Sequence, residues 1–135
     1  MRLLLAYAGA FVAFALLDLA WLGFVARDFY QARIGALLLA TPNWIAAGIF
    51  YVMYPAGIVF FAVNPALDTG SVVRAATWGA LLGALVYATY DLSNLATLKG
   101  WSVPVTILDI AWGAVATAAA AGAGFLLARL ASPAA

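Results

Sequence analysis

Polar residues are so sparse along this chain that the apolar stretches between them run almost uninterrupted. The first extends from Leu3 to Ala26, 24 residues bounded by Arg2 and by Arg27-Asp28. At 1.5 Å per residue it reaches about 36 Å, enough to cross a hydrocarbon core of about 30 Å with tilt. Ala13-Phe14-Ala15 offers small residues at a spacing suited to signal cleavage, but the run continues well past them, so a retained first helix is expected. The second run goes from Trp44 to Val63 and is expected to end at Asn64-Pro65. Pro55 inside it withholds a backbone N–H and predicts a kink. A third covers 72–98, with Gly79 and Gly83 at four-residue spacing, and a fourth covers 104–130, opening on Pro104 in a favoured first-turn position. The pattern predicts an all-α polytopic membrane protein, a single domain over 1–135 built as a bundle of four transmembrane helices. Both chain ends then share one side, A, opposite side B.

The connection between the first two helices carries Phe29, Tyr30, Ile34 and Leu37 to Leu39, which suggests a short interfacial segment rather than a solvated loop. Gly79, Gly83, Ala114, Ala118 and Gly122 on the last two helices are read as packing positions where backbones approach closely.

Composition agrees with lipid as the main solvent. The chain is 68% hydrophobic and 8% charged, with a mean hydropathy of +1.09, whereas a soluble domain is about a quarter charged. Having neither His nor Cys, it lacks the ligands for the usual zinc, haem and iron–sulfur sites, and no metal or other cofactor is expected. A formal net charge of +1 leaves no basic patch for nucleic acid. Arg2, Arg74 and Arg129 fall on side A, and Arg27, Arg33 and Lys99 on side B. Charge balance therefore sets no orientation.

Against this background three aspartates fall inside apolar runs: Asp18, Asp91 and Asp109. As lipid-exposed ions the trio would cost about 8 to 10 kcal/mol together, so each is expected to face the bundle interior. Asp18 precedes Ala26 by eight residues, Asp91 precedes Leu98 by seven, and Asp109 follows Pro104 by five. The corresponding depths are about 12, 10 and 8 Å below the B surface, a single layer. Trp21, Asn94 and Trp112 each follow one of these acids by three residues and share its helix face. Tyr87 extends the stripe of Asp91 and Asn94, and Tyr51 enters from the second helix. Asp18, Trp21, Tyr51, Tyr87, Asp91, Asn94, Asp109 and Trp112 are thus candidates for a proton- or ligand-binding cavity, with Arg27, Arg33, Asn43 and Lys99 at its rim. Interhelical clamping is the plainer role for such groups, each bond being worth about 0.6 to 2 kcal/mol.

The strings Leu17-Asp18-Leu19-Ala20-Trp21-Leu22-Gly23, Asn43-Trp44, Ala88-Thr89-Tyr90-Asp91-Leu92-Ser93-Asn94-Leu95-Ala96-Thr97 and Val105-Thr106-Ile107-Leu108-Asp109-Ile110-Ala111-Trp112-Gly113 resemble the signature segments of a small bacterial membrane family, domain of unknown function 2177. The resemblance spans nearly the whole chain and implies a four-helix integral protein of the bacterial inner (plasma) membrane. It implies no activity. Leu-Asp-Leu-Ala-Trp at 17–21 also matches Leu-Asp-Ile-Ala-Trp at 108–112, and Asp18-Leu19-x-Trp21-Leu22 echoes Asp91-Leu92-x-Asn94-Leu95 on the first and third of these helices, which run the same way, as in a duplicated hairpin; convergence on one local solution explains these matches equally well.

Three functions fit these residues. The acids could bind a proton, a cation or the polar head of a lipophilic small molecule, as in a small transporter. The chain could instead be an accessory or assembly subunit of a larger membrane complex. Or one Asp could act as acid and another as base on a lipid or isoprenoid, the least supported of the three because no nucleophile or cofactor motif accompanies it. The partners expected are the lipid bilayer and either a second copy, as a homodimer, or a larger membrane complex.

Overall fold

The computed structural model describes residues 1–131. Four helices are long and apolar enough to span a membrane: α1, Arg2–Val25; α3, Trp44–Thr69; α4, Val72–Thr97; and α5, Val103–Leu130. A short helix α2, Arg27–Ile34, follows α1 at side B. No strand occurs among the described residues. Large apolar side chains such as Phe24, Ile45, Ile49, Phe60 and Leu126 point outward, an arrangement that only a lipid environment tolerates at this scale.

The second span does not stop at Asn64-Pro65; it continues to Thr69. Pro65 has no N–H to give to the preceding turn. The helix accommodates this by widening into a π turn over Val59–Val63, where the Asn64 N–H reaches back to the Val59 carbonyl. The helix ends at Gly70, whose φ of 66° is a left-handed cap that glycine adopts without a Cβ penalty. The third span closes at Thr97 and the fourth opens at Val103, each one residue from the expected position.

α5 is the central helix, packed along α4 on one flank and α1 on the other. Backbone contact is so close that a Cβ on Gly83 would overlap the Gly113 carbonyl and the Thr117 hydroxyl, and one on Gly9 would press on Ala123 and Gly124. Gly122, by contrast, faces open space. Dispersion between closely apposed backbones is the main attraction available to helices already dissolved in lipid. The A half of α3, through Ile58, Ala62, Val63 and Ala66, completes a core with Ala6, Ala10, Phe14, Ala116, Ala120 and Phe125. The B half of α3 packs chiefly on α1, which leaves room between α3 and α4 on side B. A second cluster there, Ala26, Tyr30, Ile34 and Val105, seats α2 on the start of α5.

Candidate functional site

Asp18 is 5% exposed on the inner face of α1. Its Oδ2 accepts a hydrogen bond from the Tyr51 phenol of α3, and its Oδ1 accepts one from the Trp112 indole of α5 at 3.1 Å. One carboxyl thus ties three helices together. Three residues later α1 widens into a π turn over Trp21–Val25, with the Ala26 N–H reaching back 2.8 Å to the Trp21 carbonyl. Such turns re-aim side chains at functional positions. The Trp21 ring lies flat on Trp112, with centroids 4.3 Å apart and planes within 4°.

From Trp21 the polar string passes into α2. The Trp21 indole donates to the Tyr30 hydroxyl at 2.9 Å, and Tyr30 donates in turn to Oδ1 of Asp109 at 2.7 Å. Burial, and then the adjoining Asp109 carboxylate, push the Tyr30 phenol above its ordinary range, so it remains a donor at any growth pH. Asp91 lies beside Asp109. It is fully buried, and its carboxyl oxygens meet no phenol, indole, amide or basic donor, only the Asp109 carboxyl beside it. Among the described residues, and apart from the Asp91 carboxyl beside Asp109, the groups bonded to Asp18 and Asp109 are uncharged phenols and indoles.

Two cavities meet at these groups. The larger, about 470 Å³, is bounded by Asp18, Leu22, Phe50, Val86, Tyr87, Tyr90 and Asp109. Tyr87 can lie against α5 only because position 113 is glycine, where a Cβ would strike the ring. The smaller cavity, about 310 Å³, lies beneath α2 and includes Arg27, Tyr30, Gln31, Trp101 and Val105 in its walls. Leu22, Tyr90 and Asp109 border both. A larger groove of about 920 Å³ lies in the A half, lined by residues such as Ala8, Val12, Leu126 and Leu130, far from the acids.

Of the candidate residues, Asp18, Trp21, Tyr51, Asp109 and Trp112 belong to the bonded string, Tyr87 lines the larger cavity, and Asp91 sits behind Asp109. Asn94 is half-buried one turn beyond Tyr90 on α4. The four rim residues separate. Arg27 does line the smaller cavity. Asn43 is exposed and caps α3 through the Ala46 N–H at 3.1 Å; Arg33 lies 3.7 Å over the Phe29 ring; Lys99 is exposed beyond the end of α4. Tyr30, Phe50, Tyr90 and Trp101 also line these cavities, and the acid-centred reading passed over them. The signal for Tyr30 was its i,i+4 pairing with Ile34 on the apolar face of α2.

Residues 3–126 match the family described as Predicted membrane protein (DUF2177). No curated protein and no solved structure matches the chain.

Proposed function

We propose that this chain, which belongs to the DUF2177 family of predicted membrane proteins, is a small transporter of the bacterial plasma membrane that binds and releases protons at Asp91 and Asp109. The observation that carries the reading is Asp91, fully buried with no donor to its oxygens except a second carboxyl, that of Asp109. An unpaired buried carboxylate costs several kcal/mol. A purely structural residue would be given donors, as Asp18 is by Tyr51 and Trp112. Sharing protons between adjacent carboxyls removes most of that cost. Asp109 is the member that both cavities reach, and the smaller one gives it a route toward side B past Arg27 and Gln31.

Infrared difference spectroscopy of the detergent-purified protein tests this. A protonated-carboxyl band is expected at neutral pH, lost in Asp91→Asn and shifted in Asp109→Asn. Absence of any such band in the native protein would refute the reading.

A further inference from the structure

The wall chemistry of the larger cavity bears on what the proton would be exchanged for. Its polar groups are two carboxyls, Asp18 and Asp109, and the phenols Tyr87 and Tyr90; the rest is Phe50, Val86 and Leu22, with no cationic side chain among them. An anion would find no cation there to pair with, and like charge from any ionised carboxyl. A metal ion needs several converging hard ligands, and among the described residues no group of three His, Cys, Asp or Glu could hold one. Carboxylate faced by aromatic rings is instead the chemistry that recognises an organic cation, whose charge is drawn both to the acid and to the ring faces. A volume of about 470 Å³ falls within the range of about 300–1,000 Å³ usual for small-molecule sites. Access is also suited to such a molecule. Leu22 is 47% and Tyr90 58% exposed on the lipid-facing surface of the B half, so a ligand dissolved in the bilayer can reach the cavity from the side.

We infer that the larger cavity binds a lipophilic organic cation, an ammonium or phosphonium carried on an apolar body, in exchange for a proton on the Asp91–Asp109 pair, of which Asp109 lines the cavity. The inference rests on the proton-binding role proposed above and adds the class of molecule exchanged. No covalent bond in the ligand changes. The cation enters, one carboxyl releases its proton through the Asp109 side of the cavity, and the charge of the occupied site is conserved. The apolar body rests on Phe50 and Val86, and Tyr87 and Tyr90 supply the ring faces.

Equilibrium dialysis of the full-length purified protein against radiolabelled tetraphenylphosphonium tests this directly. Saturable binding is expected, strengthening about tenfold per pH unit while one proton is exchanged, whereas triphenylphosphine oxide, neutral and similar in shape, should bind at least about tenfold more weakly. Asp109→Asn should abolish the pH dependence. Val86→Trp fills the cavity while leaving Asp18, Asp91 and Asp109 in the chain, and should abolish phosphonium binding while keeping the protonated-carboxyl infrared band. No phosphonium binding by native protein that shows the band would overturn the cation inference and leave the proton site standing. Equal binding of the neutral probe, or binding undiminished by Val86→Trp, would overturn it as well. Loss of the infrared band in the native protein would instead overturn the underlying proton reading.

Discussion

Replacing Asp91 by Asn should stabilise the fold, and replacing Asp18 by Asn should destabilise it, although both remove one acid from the same layer. Asp91 has two buried oxygens with no donor but the Asp109 carboxyl, and leaving a buried polar group unsatisfied costs about 1–3 kcal/mol. The amide keeps the shape and polarity but never has to carry charge, so only part of that cost is recovered. The membrane-inserted unfolded state also finds some partners, which lowers measured values toward about 0.6 kcal/mol. A gain of about 0.5–2 kcal/mol is therefore expected. For Asp18 the sign reverses. Its two oxygens accept from Tyr51 and Trp112, and an amide can accept from one but must turn its NH2 toward the other, at a loss of about 1–2 kcal/mol. Reversible unfolding in mixed micelles, followed by fluorescence of the five tryptophans, reads both. If Asp91→Asn lost more than about 1 kcal/mol, Asp91 would have a structural partner and would be a clamp, and the proton-site reasoning would fail with it.

Other contacts give further expectations. Tyr30→Phe removes the donor to Asp109 and the acceptor of the Trp21 N–H; a cost of about 1–3 kcal/mol and faster hydrogen exchange across Arg27–Ile34 should follow, and unchanged exchange would show that the phenol does not hold α2 in place. Because burial raises the Tyr30 phenol, its contribution is complete below the unfolded value near 10 and is lost only as pH rises through the folded value; ultraviolet titration of tyrosinate, compared with Tyr30→Phe, should show one late-titrating group. Gly83→Ala places a methyl against the Gly113 carbonyl and Thr117 and should cost about 1–3 kcal/mol, measured by the same micelle unfolding; Gly122→Ala, facing open space, should be neutral.

The spans were legible because the length of an apolar run is set by bilayer thickness, and depth along each helix follows from 1.5 Å per residue. Rotation about each axis was not. In a soluble helix the polar face announces the buried one, but here both the lipid-facing and the bundle-facing sides are apolar, so Phe24, 88% exposed, and Phe14, fully buried, look alike in sequence. Asp18, Asp91 and Asp109 escape that ambiguity because a charge can face only inward. Tyr30, Phe50 and Tyr90 do not, since aromatic residues near span ends are ordinary interface anchors. The Asn64-Pro65 pair misled for a related reason. It reads as a stop, whereas the π turn at Val59–Val63 carries the helix past it for another turn, and nothing in the pattern announces a π turn.

Whether intramembrane acids clamp helices or carry chemistry is usually posed for a cluster as a whole, yet in this layer the two roles fall on different residues. Asp18 is bonded from two directions by α3 and α5, which fixes the floor of the larger cavity and the position of the Trp112 ring that supports Trp21. Asp109 is bonded once, by Tyr30 from a short helix outside the membrane spans, and keeps a face open to both cavities. Asp91 has no donor other than the Asp109 carboxyl beside it. This gradient, from two phenol or indole donors to one to none, runs from the part of the site that must stay rigid to the part that would change charge. A carboxyl that gains and loses a proton cannot be held by donors that demand the ion in every state, so the poorly bonded pair is where titration costs least structure. Simultaneous substitution separates the roles: adding Asp91→Asn to Asp18→Asn should recover part of the lost stability, by about 0.5–2 kcal/mol, without restoring any proton-linked binding. Recovery of binding in that double variant would show that the gradient has no functional meaning.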